Sequence, residues 1–306
     1  MMMETKIEKV KDKMKKLFLV PAAVLLLSGC QQAEEWTKDL FSSDEPAPQE
    51  QENEMEDSGQ IDEAQENGES AADEIEENGE SADQNEEEVV PPALQLESQF
   101  FNEVKTVEGK KVITNPANTL ALVNKEFGLS DYKPSDLVRP DVPFVFGSQD
   151  LEKAYIRKEA AKALEEMFAA AQKDGLYLTA ISGYRSYQYQ DMLLKREIKQ
   201  FGEEKAVKAV APPGNSEHQS GLAMDISSKS NDFQVSIPFE ETPEGKWLKE
   251  NSYKFGFVLR YPKGKEDITG YQYEPWHFRY VGKEPAKVIF ENDWTLEEYF
   301  ANVKKI

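Results

Sequence analysis

A single cysteine, Cys30, stands in a chain of 306 residues, so no intramolecular disulfide can form. Histidine is almost as scarce, with only His218 and His277. Basic residues are in deficit, 36 Lys and Arg against 58 Asp and Glu, for a net charge of −22. A chain of that sign has no excess of cations to offer a phosphate backbone, and nucleic-acid binding finds no support. Long apolar runs are also missing. The one marked apolar stretch, residues 17–30, is too short for a spanning helix. It follows a basic segment at residues 11–16, the arrangement of an export signal.

That stretch ends in Leu27-Ser28-Gly29-Cys30, which resembles a bacterial lipobox. In such a pattern the cysteine is lipidated and becomes the mature N-terminus, which implies a signal peptide over residues 1–29 and a membrane anchor on Cys30 facing the extracellular, cell-wall side. Met14-Lys15-Lys16 makes a more typical start, so the expected signal begins at Met1 or at Met14. Residues 44–88 then hold 20 Asp or Glu, no Lys or Arg and almost no large apolar side chains. A segment of this kind buries too little surface to offset its chain entropy, and residues 30–90 are expected to form a disordered acidic linker. Glu66-Asn67-Gly68-Glu69-Ser70-Ala71 recurs as Glu77-Asn78-Gly79-Glu80-Ser81-Ala82, a low-complexity repeat within it. Nearly all of the charge of −22 is located here, so the acidity describes the linker and not the surface of the remainder.

Residues 91–306 suit one domain. Residues 151–173 are rich in Ala, Glu, Lys and Leu at helical spacing, and Gly175 closes the helix. Residues 176–181 alternate as a strand, and 187–201 read as a second helix. Short strands are expected at 257–261 and 278–281, with closing helices at 285–290 and 296–303. The fold class is α+β: a small, mainly antiparallel sheet with the functional site on one face and helices on the other.

Both histidines lie in clusters with the chemistry of a catalytic zinc site. The first is Ser216-Glu217-His218-Gln219-Ser220-Gly221-Leu222-Ala223-Met224-Asp225; the second is Tyr273-Glu274-Pro275-Trp276-His277. A catalytic zinc takes three protein ligands of imidazole or carboxylate type and keeps a fourth position for water. His218, Asp225 and His277 fill that set, and Glu274 is left as a general base. In residues 221–227, Leu222, Met224 and Ile226 share one face of a strand and Ala223 and Asp225 the other, so small Ala223 leaves room for a metal. Pro275 biases Glu274 away from helical dihedrals, so a turn or strand end presents Glu274 and His277. This is not the helical His-Glu-x-x-His arrangement.

The order Ser-x-His-x-x-Gly-x-Ala-x-Asp, with Glu-x-Trp-His downstream and Ser182-Gly183-Tyr184-Arg185-Ser186 upstream, resembles the zinc D-alanyl-D-alanine carboxypeptidases of the vancomycin-resistance Y type and the related L,D-carboxypeptidase B enzymes. Their clan also holds lysostaphin-type endopeptidases and the hedgehog domain. The resemblance covers residues 112–303 and implies a fold of the hedgehog and D-Ala-D-Ala peptidase type. It implies Zn2+ on His218, Asp225 and His277, with Glu274 as base. It further implies that Arg185 contacts the substrate carboxylate or the developing oxyanion, and that Gln190 and Ser216 line the substrate pocket.

What the resemblance implies in function is removal of the C-terminal D-Ala from peptidoglycan stem peptides outside the cell. The D-Ala-D-Ala bond is the first expectation, and the L,D bond of a tetrapeptide uses the same groups. A zinc-bound binding module without turnover is disfavoured by the intact Glu274. An endopeptidase is disfavoured because Arg185 points to a free carboxylate being read.

Overall fold

In a computed structural model of the chain, residues 90–306 are described. The expected signal peptide, Cys30 and the acidic segment 44–88 lie outside the described residues. In chain order the strands are β1 (Gln95–Leu96), β2 (Val104–Val107), β3 (Lys110–Ile113), β4 (Phe127–Gly128), β5 (Leu137–Val138), β6 (Ile156–Arg157), β7 (Leu178–Ser182), β8 (Ala223–Ser228), β9 (Phe257–Leu259), β10 (His277–Tyr280) and β11 (Lys304–Lys305). The α-helices are α1 (Lys158–Lys173), α2 (Tyr187–Phe201), α3 (Glu203–Ala209), α4 (Pro243–Asn251), α5 (Glu266–Thr269), α6 (Lys283–Glu291) and α7 (Leu296–Asn302). Among the described residues no helix is long and apolar enough to cross a membrane.

The site is positioned by a four-stranded sheet in the order β7-β8-β10-β9, with every pair antiparallel. The two central strands are buried along their whole length. The alternation in β8 therefore separates two covered faces, not core from solvent. Helix α1 turns Ala160, Leu164, Met167, Phe168 and Ala171 inward, a stripe at the helical period. A second apolar cluster joins Val258, Val281, Ala286, Ile289, Leu296 and Tyr299, so that α6 and α7 pack on the β9 end of the sheet.

Local chemistry sets several boundaries. Helix α2 begins after Ser186, whose side chain accepts from Tyr189 N at 3.2 Å, and it covers the expected residues. Thr295 and Glu298 form a capping box at the start of α7. The expected helix from residue 151 begins only at Lys158. Residues Glu152–Ala154 form a 3-10 turn and Ile156–Arg157 pair with Leu137–Val138. The helical reading of 151–157 yields to a tertiary hold, because Arg157 N donates to Gly221 O at 2.8 Å and Arg157 Nε to Asp136 Oδ1 at 3.0 Å. The expected strand 176–181 is shifted to Leu178–Ser182, since Leu176 N bonds back to Ala171 O at 2.9 Å and finishes the helix end.

Candidate metal centre

Asp225 sits at the middle of the sheet, in register with His277 on β10 and with Ser182 on β7. The β7 ladder is irregular between Ala180 and Ser182, and a bulge of this kind re-aims the residues that follow it. The chain then leaves the strand as Gly183-Tyr184-Arg185. His218 comes from the 3-10 turn Glu217–Ser220, which Gly221 closes with φ +68°. That left-handed conformation is one L side chains rarely adopt, so the turn favours glycine. His277 follows a tight turn in which His277 N bonds Glu274 O at 3.2 Å and Glu274 N bonds Tyr261 O at 3.1 Å. Glu274 and His277 are presented by a turn and a strand end, as Pro275 led one to expect.

The sheet and the two turns bring His218, Asp225 and His277 together, all buried, with one ligand atom from each lying within 4.8 Å of the others. Asp225 Oδ1 is 3.4 Å from His218 Nε2 and 3.2 Å from His277 Nδ1. Nitrogen and oxygen ligands around a tetrahedral zinc at 2.0–2.1 Å lie about 3.3 Å apart, which matches both separations. His218 Nε2 and Asp225 Oδ1 are also buried without any well-formed hydrogen bond. Buried polar atoms are rarely left so, and two of them aimed at one point are the mark of a cation site. The residues fit zinc.

Each imidazole is oriented from behind. His218 Nδ1 is 2.7 Å from Gly183 O, and His277 Nε2 is 3.3 Å from Glu217 Oε2. Burial, reinforced by the Arg185 charge, pushes His218 down to about 4 and keeps it neutral. Burial opposes a charge on His277 as well, but the Asp225 and Glu217 carboxylates beside its ring outweigh it and raise the group to about 9. Asp225 is held well below the usual carboxylate range: burial works against ionisation, and the two imidazoles overcome it.

Glu274 Oε2 lies 3.7 Å from His277 Nδ1, and its side chain retains 12% exposure. Burial pushes its carboxyl up to about 7, with Asp225 adding to the rise and His277 and Arg185 opposing it. Arg185 N donates to His218 O at 3.3 Å, which ties it to the ligand turn, and Arg185 Nε is buried without a partner. Gln190 is buried in α2, where Nε2 donates to Ala211 O at 2.8 Å and Oε1 is unbonded. Ser216 is buried at the mouth of the His218 turn. Tyr184 and Trp276 pack inside, whereas Tyr187 is exposed. The residue that sequence reasoning passed over is Glu217, quoted beside His218 without a role; its place next to a ligand was the available signal.

A buried two-histidine, one-carboxylate cluster at the centre of a small antiparallel sheet, beside a carboxylate with a raised pKa, defines a zinc metallopeptidase. The VanY family model, D-alanyl-D-alanine carboxypeptidase, matches residues 153–283. The chain is 60% identical over 212 residues to YodJ of Bacillus subtilis, covering 69% of this chain and 77% of that protein. The structure of the LdcB LD-carboxypeptidase is similar with a TM-score of 0.68 and 59% identity, over 70% of this chain and 100% of that one. A variant of the vancomycin-resistance D,D-pentapeptidase VanY, solved with Zn(II), gives a TM-score of 0.50 and 34% identity, over 60% of this chain and 98% of that one. The chain belongs to the VanY carboxypeptidase family of zinc peptidases.

Proposed function

We propose that this chain is a zinc-dependent carboxypeptidase that releases the C-terminal D-Ala of peptidoglycan stem peptides. The observation that carries the proposal is the triad His218, Asp225 and His277, in which buried His218 Nε2 and Asp225 Oδ1 lack hydrogen bonds, beside a Glu274 carboxyl raised to about 7. His218 Nε2, Asp225 Oδ1 and His277 Nδ1 would hold the metal. A zinc there supplies a Lewis acid and lowers the pKa of a water toward neutrality.

Glu274 takes the proton of the attacking water on its carboxylate and delivers it to the leaving amine, so one group serves as base and then acid. Arg185 offers guanidinium N–H groups, including the unpartnered Nε, to the substrate's terminal carboxylate or to the developing oxyanion. Gln190 Oε1, also unpartnered, and Ser216 complete the pocket wall. Intact Glu274 supports turnover over a binding module, and Arg185 supports cleavage at a free chain end over cutting within a cross-bridge.

The bond cut is read in two ways. Cleavage of D-Ala-D-Ala accords with the family model and with VanY. Cleavage of the L,D bond in a tetrapeptide is favoured by the 59% identity to the LD-carboxypeptidase LdcB. Incubating the purified protein with defined pentapeptide and tetrapeptide muropeptides, and following D-Ala release by mass, separates them. Release from C-terminally amidated peptides as fast as from free acids would remove exo-specificity from the proposal.

The chain is further proposed to be exported and lipid-anchored through Cys30, with the acidic segment as a spacer toward the cell wall. A stretch of about 60 residues reaches at most about 200 Å, and its acidic composition favours repulsion from an anionic bilayer. Cys30→Ser releases the protein from the membrane fraction if this holds; retention there contradicts the anchor.

A further inference from the structure

Glu217 precedes a metal-ligand histidine but spends its carboxylate elsewhere. Its Oε1 accepts from Arg260 Nε and from an Arg279 terminal nitrogen, both at 2.7 Å. The other oxygen, Oε2, is left for His277 Nε2 at 3.3 Å. Arg260 is gripped from its far side by Glu297 through a fork of 2.8 and 2.6 Å. Arg279 gives its remaining donors to the carbonyls of Thr119, Ala121 and Tyr280. Glu217, Arg260 and Arg279 are each 1% exposed or less.

A buried ionic network is a poor way to gain stability. The desolvation of its members often outweighs their attraction, and apolar side chains of the same volume serve the fold as well or better. What apolar side chains would not do is present an ionised oxygen to one ring nitrogen of His277. That nitrogen decides the tautomer. Nδ1 faces Asp225 at 3.2 Å and must be unprotonated to bind a cation, so the ring's proton has to sit on Nε2. A carboxylate there holds the proton in place and strengthens the opposite nitrogen as a donor. The two arginines clamp the Glu217 carboxylate and prevent it from turning away. His218 is oriented differently, by the neutral carbonyl of Gly183.

We propose that Glu217, clamped by Arg260 and Arg279, is a positioning residue that fixes the Nε2–H tautomer of His277 and sets its strength as a metal ligand. The inference rests on the zinc reading above and deepens it.

Glu217→Gln is the informative change, because it reverses the contact. The amide oxygen stays with the two arginines, which leaves the NH2 facing His277 Nε2. That donor demands an unprotonated Nε2 and so moves the ring proton to Nδ1, where it blocks the metal. In the full-length protein, competition with a chromophoric chelator should show the zinc dissociation constant raised about 10–100-fold. Glu297→Gln weakens the same network without touching His277 and should keep zinc affinity within about twofold while lowering the melting temperature. Equal loss of zinc affinity in both variants, or wild-type affinity in Glu217→Gln, overturns the proposal.

A second measurement needs no variant and stands even if Glu217→Gln fails to fold. In the zinc-loaded wild-type protein labelled with 15N-histidine, the His277 ring should carry its proton on Nε2. A proton on Nδ1 overturns the proposal. Absence of any zinc binding by the wild-type protein would overturn the metal reading, and this inference with it.

Discussion

Replacing Gly183 by alanine tests how the sheet edge holds the metal site. Gly183 N donates to Lys153 O at 2.7 Å, and Gly183 O is 2.7 Å from His218 Nδ1. An added Cβ would lie 2.5 Å from Tyr155 O, 2.9 Å from Met224 Cε and 3.2 Å from Lys153 O. Two of those neighbours are backbone carbonyls, and Tyr155 O also accepts from Tyr184 N, so they cannot swing aside. Relief requires Gly183 to move by about 1 Å, and overpacking of this kind costs about 1–3 kcal/mol. For a folded region of this size the melting temperature should drop by about 2–12 °C.

The same shift carries the carbonyl away from His218 Nδ1. Loss of such an outer contact lowers metal affinity about 10–100-fold. Arg185, two residues on, moves as well, and a misplacement of about 1 Å costs about 100-fold in rate. Scanning calorimetry, chelator competition and kcat/KM on Gly183→Ala read the three effects separately. Wild-type stability together with wild-type zinc affinity would refute the packing argument.

Two further outcomes follow from the electrostatics. Glu274→Gln should bind zinc like the wild type yet lose turnover by about 100-fold or more, as expected of a lost general base; wild-type rates would remove Glu274 from the mechanism. Metal-free protein should lose stability as pH rises from 6.5 through about 9. His277 is raised from 6.5 to about 9 on folding, so its contribution is fully present below 6.5 and lost as the folded group deprotonates. Glu274, raised from 4.5 to about 7, acts with the same sign at lower pH. Melting curves of chelated protein across this range check the slope, and a melting temperature that is flat or rises contradicts it.

Much of the site was legible because its residues lie in short local motifs. The scarcity of histidine singled out His218 and His277, the strand alternation placed Asp225, and Pro275 excluded a helix at Glu274. Helix α2 was legible to its ends, since Ser186 caps it and Gly202 ends it with φ +84°. The fold was less legible wherever a partner distant in sequence decides. Residues 151–157 carry a helical pattern, but β5 and Gly221 claim them. β1 and β11 are two residues each and pair only with one another across the chain, too short for any period to register. Glu217 is explained by Arg260, Arg279 and Glu297, none of which is near it in sequence.

The central claim, that His218, Asp225 and His277 hold a catalytic zinc, is tested most directly by zinc content. The protein should bind one zinc per chain, and His277→Ala, folded by circular dichroism, should bind it far more weakly and lose D-Ala release with it. Full zinc occupancy in His277→Ala would contradict the account.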